Sequence, residues 1–201
     1  YYRVNAGAYT SVQGALASGN ATSGTWSFNL TYTAVAGDVI SYYVIAQDIN
    51  GNITSNPSTG LLAATVNTII TDPTTPASWT VMNVLSGTYT VGAAGNYPTL
   101  TAAANAYNTN CLGGAVIFSL IDPTYSAGET FPIVFQNNTD ASATNTLTIM
   151  PAAATAVSIT GSNASTIIKL NGADYITIDG VNTGGSTLSI SNTNTGTTSA
   201  I

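Results

Sequence analysis

Few residues in this chain could perform acid–base or nucleophilic chemistry. There is no histidine, and the only basic residues are Arg3 and Lys169, against eight acidic residues. Without histidine, Ser-His and Cys-His nucleophilic pairs and His-ligated metal sites are excluded. The carboxylates, the single cysteine Cys111 and the asparagine-rich segments are the remaining candidates.

Glycoside hydrolysis requires two carboxylates at a controlled separation. Asp174 and Asp179 flank one short strand pattern, and we expect both to be turn residues. Lys169 lies between two aliphatic residues that should face inward, so we expect its side chain to point into solvent. We expect Cys111 to be a small buried side chain near the end of a helix.

Asp48, Asn50 and Asn52 have the alternating spacing of an oxygen-ligand calcium loop. However, Ile53 stands where an EF-hand needs glycine, and Thr59 replaces the closing glutamate. A hairpin turn over residues 48–52 explains this segment better, since its Asn-Gly pair favours positive φ. We predict no catalytic residue, no cofactor-binding residue and no metal site in this chain, and no enzymatic activity.

The composition limits the possible partners. A net charge of −6 repels phosphate backbones, which excludes nucleic acid as a partner. No apolar run approaches the length that spans a bilayer. Only 5% of residues are charged while 44% are hydrophobic, so we expect a folded β-rich chain whose solubility comes from Thr, Ser, Asn and Gly. This composition favours an exported protein.

A short strand pattern recurs through the second half of the chain. In residues 173–181, Ile176 and Ile178 alternate with Tyr175 and Thr177, and Asp179-Gly180 forms a turn. The same aliphatic–polar–aliphatic pattern recurs at residues 147–149, 157–159, 168–170 and 188–190. The spacing predicts a coiling β-solenoid with three strands per coil, in which Phe118, Leu147 and Ile176, 29 residues apart, would stack. Val157 and Leu188, 31 residues apart, would also stack.

One amphipathic helix is predicted before these strands, where it would cover the apolar end of the first coil. Its apolar positions follow helical spacing, and Thr99 is placed to cap its N-terminus. Gly113-Gly114 should end the helix, and Ala115 to Leu120 should begin the strand series. The apolar positions are Leu100, Ala103, Ala104, Tyr107 and Cys111.

The first part of the chain shows strands joined by turns, which indicates a β-sandwich. Trp26, Phe28 and Leu30 alternate with polar residues and should share one face. Residues 58–84 are bordered or interrupted by prolines and predict a strand-containing linker, so that the domains would be 1–57, 58–84 and 85–201.

Three segments of residues 1–57 share the pattern of a known module: 1–5, 24–28 and 37–48. They resemble the C-terminal strands of immunoglobulin-like and fibronectin type III-like modules of large bacterial surface proteins. A complete module has about seven strands, and the first two have no counterpart here. The resemblance therefore implies a partial sandwich whose open sheet edges allow self-association or pairing with neighbouring domains.

Five segments of residues 85–201 share a second pattern: 87–92, 97–103, 114–118, 129–133 and 173–180. They resemble the N-terminal cap and first coils of right-handed parallel β-helices of the pectin-lyase-like superfamily, as found in large secreted proteins of Bacteroidetes-type bacteria. Members of this family are often exported by the type IX secretion system, and many are adhesin-like. Asn138-Thr139-Asp140 matches a tripeptide of the related galacturonan hydrolases, but the Asp pair and the His- and Arg-containing motifs that accompany it there are absent.

The fold we expect is all-β: a partial immunoglobulin-like sandwich followed by a right-handed parallel β-helix with a short N-terminal capping helix. The expected function is that of a non-catalytic segment of a large exported bacterial cell-surface protein, an adhesin-like or filament-forming structural stalk. Surface glycans are a possible partner, and outward rows such as Tyr175, Thr177 and Lys169 are where they would bind. A further interpretation treats both halves as spacers, in which case these rows bind no glycan. The alternative is an accessory region of a secreted carbohydrate-active enzyme whose catalytic coils lie elsewhere.

Overall fold

A computed structural model describes residues 1–196 and 198–201 of the chain. The chain divides into two compact units, Tyr1–Met82 and Asn83–Ile201. Apart from one helix of ten residues, the regular structure of the described residues consists of β-strands. The prediction of an all-β fold is confirmed.

The first unit consists of short antiparallel sheets. Its three-stranded sheet has the order β1–β4–β9, and the other strands form the two-stranded hairpins β2–β3, β5–β6 and β7–β8. The nine strands are β1 (Tyr2–Val4), β2 (Ala15–Gly19), β3 (Gly24–Ser27), β4 (Val39–Tyr42), β5 (Val44–Gln47), β6 (Ile53–Asn56), β7 (Leu62–Thr65), β8 (Thr68–Thr71) and β9 (Ala77–Thr80).

Two expectations for this unit need correction. Residues 58–82 belong to the first unit rather than to a linker, because β9 pairs along its length with β4. Composition indicated a linker because long-range strand pairing leaves no local signal. Trp26 and Phe28 are 47% and 40% exposed, and every residue of the β2 and β3 strands is exposed. The predicted apolar face of this segment is therefore not buried.

The second unit is a β-solenoid of about four turns. Three parallel sheets have the orders β10–β11–β14–β17, β12–β15–β18 and β13–β16. We call them the first, second and third sheets of the solenoid. Their strands are β10 (Val84–Val91), β11 (Cys111–Leu120), β12 (Thr124–Tyr125), β13 (Ile133–Gln136), β14 (Leu147–Pro151), β15 (Ala156–Gly161), β16 (Ile168–Asn171), β17 (Ile176–Ile178) and β18 (Thr187–Asn192).

The strand register stacks apolar residues into rows inside the solenoid. Leu147 pairs with Ile176, and Val157 pairs with Leu188, as the spacing predicted. Phe118, however, stacks on Ile149 rather than on Leu147. The first step of the repeat is therefore longer than expected. The shift of two residues keeps every side chain on its predicted face, because side chains alternate with a period of two.

The helix α1 (Leu100–Thr109) covers the first coil. The Thr99 side chain accepts the Ala102 N–H at 3.0 Å, which confirms the predicted N-cap. Cys111 is not on the helix but begins β11, because Asn110 is already extended with φ −115° and ψ 158°. Gly113-Gly114 accordingly lies within β11 rather than ending the helix.

Asn108 of α1 protects the outer edge of β13. Its side-chain amide donates to the Val134 carbonyl and accepts the Gln136 N–H, both at 2.8 Å. A neighbouring strand would make the same pair of hydrogen bonds. The helix thus closes an edge that would otherwise expose unpaired backbone groups.

Candidate functional site

Most carboxylates of this chain hold its own backbone or side chains in place. Seven of the eight acidic residues accept hydrogen bonds from nearby protein groups. Such carboxylates fix turns and join neighbouring coils. The seven are Asp38, Asp48, Asp72, Asp122, Glu129, Asp140 and Asp179.

The Asn138-Thr139-Asp140 segment connects the end of the helix to the first strands of the solenoid. The Asn138 amide nitrogen donates to the carbonyls of Tyr107 at 2.8 Å and Asn110 at 3.0 Å, and its oxygen accepts the Asp140 N–H at 3.1 Å. The Asp140 carboxylate accepts the Leu112 N–H at 3.2 Å. Both polar side chains therefore have structural partners one coil away.

Cys111 lies half-buried beside Asp140. Burial raises the pKa of the Cys111 thiol, and its hydrogen bond to the Asp140 carboxylate raises it further. Because the thiolate is the nucleophilic form, a raised pKa lowers the reactivity of this thiol at neutral pH.

The Asp48 segment forms the predicted hairpin turn between β5 and β6. Asp48 Oδ1 accepts the N–H groups of Asn50 and Asn52, both at 2.8 Å, and Oδ2 accepts the Asn52 amide at 2.7 Å. The Asn52 side chain and the turn N–H groups hold the pKa of Asp48 below its usual value. Across residues 1–196 and 198–201, no group of three or more His, Cys, Asp or Glu side chains is placed to hold a metal ion.

An aromatic cluster in the first unit lies beside Arg3, the only arginine of the sequence. The Arg3 guanidinium carbon lies 4.9 Å from the Tyr9 ring centroid, and Tyr9 packs edge-on against Tyr43 at 5.1 Å. Tyr1 stacks on Tyr43 at 5.2 Å, and the Tyr43 hydroxyl donates to Asp72 at 2.7 Å. Burial raises the pKa of Tyr43 above its usual range, and Asp72 adds to this shift. Sequence reasoning missed this cluster because Tyr43 and Asp72 are far from Tyr1, Arg3 and Tyr9 in the chain.

The second sheet of the solenoid presents an ordered set of hydroxyl groups. Alternation points Ser158, Thr160, Ser189 and Ser191 outward, opposite the inward aliphatic residues. Thr160 Oγ1 lies 2.9 Å from Ser158 Oγ and 3.0 Å from Ser191 Oγ. Adjacent strands lie about 4.8 Å apart, so these groups form a closely spaced, uncharged array. We call these four residues the hydroxyl face.

The three outward residues named from the sequence do not form one site. Thr177 is exposed on β17, and Tyr175, 53% exposed, directly precedes that strand. Lys169 is exposed, as predicted, but lies on β16 in the third sheet. The hydroxyl face was missed, although the Ser and Thr residues between the aliphatic positions were its signal.

The fold places this chain among β-solenoid proteins, with an antiparallel β unit preceding the solenoid. No family model, curated protein or solved structure matches the chain. In the described part of the chain, no helix is long and apolar enough to cross a membrane.

Proposed function

We propose that this chain is a non-catalytic segment of a large exported bacterial cell-surface protein, with an adhesin-like role for its solenoid. The observation that carries the proposal is the hydroxyl face, where strand register places Ser158 and Thr160 beside Ser189 and Ser191. The engagement of seven carboxylates in internal hydrogen bonds supports a non-catalytic role. The resemblance to pectin-lyase-like β-helices supports the extracellular location.

Neutral glycans fit the chemistry of the hydroxyl face best. Each hydroxyl can donate one hydrogen bond and accept two, which matches the hydroxyl groups of sugars. The net charge of −6 disfavours anionic ligands. Each contact to one sugar would be weak, and repetition of the contacts along a polymer would raise the overall affinity.

A glycan array and pulldown with insoluble neutral polysaccharides test this function. We expect the wild-type chain to be retained, and the double variant Thr160→Ala/Ser191→Ala to lose most of this retention. Thr148→Ala, which removes an outward hydroxyl from the first sheet, is the matched control and should bind like the wild type. Circular dichroism checks that both variants are folded.

Two results would contradict the proposal. If the wild-type chain bound no neutral glycan, the adhesin role would be wrong. A structural stalk would then be the function to test, by electron microscopy. Retention that is equal in the double variant and the wild type would show that the hydroxyl face is not the binding surface.

A further inference from the structure

The β9 strand leaves one side of the three-stranded sheet open. The Val81 N–H donates to the Asp38 carbonyl and the Val81 carbonyl accepts the Gly37 N–H, both at 2.8 Å, so the backbone groups of Val81 face β4. Successive residues of a strand point their backbone groups to opposite sides. Those of Ser78 and Thr80 therefore point away from β4. The order β1–β4–β9 places no further strand on that side within residues 1–196 and 198–201.

Several other strand edges are protected within residues 1–196 and 198–201. Tyr2 of β1 exchanges two backbone hydrogen bonds with Thr10, at 2.9 and 2.7 Å. Asn108 covers the outer edge of β13. At the end of β10, the Tyr97 backbone donates to the Thr90 carbonyl and accepts the Gly92 N–H. The hairpins β2–β3 and β7–β8 contain register irregularities, which discourage further pairing. β9 pairs regularly and contains no charged residue or proline, so it lacks the usual protection of an edge strand.

We propose that β9 pairs with β9 of a second copy of this chain, antiparallel and about a two-fold axis. Ser78 then lies opposite Thr80 of the second copy, and each pair exchanges two backbone hydrogen bonds. The same surface is used by both copies, as two-fold symmetry requires. The dimer contains a continuous six-stranded sheet.

Trp79 lies on the two-fold axis of this arrangement. It occupies a position without backbone hydrogen bonds across the new interface, where opposed Cα atoms approach to about 4.5 Å. Trp79 is 44% exposed and contacts Tyr42 edge-on at 5.2 Å, so two Trp–Tyr pairs meet at the axis. Aromatic pairs stabilise antiparallel strands at such positions.

The charge distribution favours a second copy as the occupant. β9 and the adjoining β4 contain no charged residue, so pairing places no like charges opposite each other despite the net charge of −6. The backbone donor and acceptor of Ser78 match those of Thr80 in the second copy. This dimer requires no ligand, so it can be tested independently of glycan binding.

Analytical ultracentrifugation of the 201-residue chain over a concentration series tests the dimer. We expect the mass to rise from 20.3 kDa toward twice that value. Thr80→Pro removes the free N–H without removing a bond to β4, and should stay monomeric with an unchanged circular dichroism spectrum. Thr80→Val keeps the N–H and should dimerise like the wild type. A wild type that is monomeric throughout, or a Thr80→Pro chain that dimerises equally, would overturn the proposal.

Disulfide trapping tests the register without depending on the proline variant. In a Cys111→Ala background, Trp79→Cys should form a cross-linked dimer on oxidation, because the expected Cα separation lies within disulfide range. Ser78→Cys is the matched control, since its side chain faces the other side of the sheet and lies opposite Thr80. Absence of the cross-link at position 79, or equal cross-linking at both positions, would overturn the two-fold pairing.

Discussion

Replacing Glu129 should destabilise the solenoid by detaching the helix from the first coil. Its carboxylate accepts the N–H groups of Leu100 and Thr101, both at 2.7 Å, and also the Thr101 hydroxyl. These N–H groups belong to the first turn of α1, where no intrahelical partner exists and negative charge is favourable. The Glu129 side chain thus accepts the free N–H groups of the first helical turn and attaches the helix to the loop before β13.

The magnitude follows from these contacts. Hydrogen bonds to a charged group contribute about 1.5 to 3 kcal/mol each, and the half-buried position of Glu129 favours the low end. We therefore expect Glu129→Ala to lower the free energy of unfolding by about 2 to 4 kcal/mol. Glu129→Gln keeps one acceptor oxygen but no charge, and should cost about 1 to 2 kcal/mol.

Urea denaturation with two probes isolates this effect. The only tryptophans, Trp26 and Trp79, are in the first unit, so their fluorescence reports that unit while circular dichroism reports the whole chain. The circular dichroism transition should shift and the fluorescence transition should not. Asp174→Ala, which removes an exposed carboxylate, is the control and should stay within about 0.5 kcal/mol of the wild type. A Glu129→Ala chain that also stays within that range would refute the reasoning.

Four further changes have defined outcomes. Phe118→Ala removes a fully buried ring from the core and should cost about 3 to 5 kcal/mol by urea denaturation, with Phe118→Leu costing less. Asn108→Ala leaves two edge groups of β13 unpaired and should cost about 1 to 3 kcal/mol, whereas an unchanged midpoint would show that water replaces the amide. Asn192→Ala removes a 2.9 Å hydrogen bond to the previous coil and should speed hydrogen exchange in β18 before affecting α1. Because the pKa of Tyr43 is raised in the folded state, its stabilising effect is complete below the unfolded value of about 10 and declines as pH rises above it. Tryptophan fluorescence should show that decline, and Tyr43→Phe should weaken it.

The sequence predicted those features that depend on neighbouring residues. Alternation in Ile176-Thr177-Ile178 placed the aliphatic side chains inward, and Thr99 capped the helix. The hairpin turn at Asp48 was also predicted correctly, because the Asp48 carboxylate and the N–H groups of Asn50 and Asn52 that it accepts lie within five residues. In these cases the partners that decide the structure are close together in the chain.

The wrong predictions concern residues whose structure is determined by a partner far away in the chain. Cys111 fits helical spacing, but the Asn138 side chain, one coil later, donates to the carbonyls at the helix end. Cys111 itself begins β11 and pairs with Val84 of β10. The composition of residues 77–80 predicted a linker, but these residues form β9, which pairs with β4. Leu170 was expected inside and is 40% exposed, whereas Ile168 of the same strand is fully buried.

The polar contacts between coils join residues whose separation in the chain is close to the period of the aliphatic repeat. The Thr130 N–H donates to the Thr101 hydroxyl, 29 residues away, and the Asn163 N–H donates to Asn192, also 29 residues away. The Asn163 side-chain amide donates a hydrogen bond to the Phe131 carbonyl, 32 residues away. These separations match the length of a coil, because stacking brings corresponding residues of successive coils together. A search for polar pairs at the period of the aliphatic repeat would therefore have predicted which Asn and Thr residues bind the next coil.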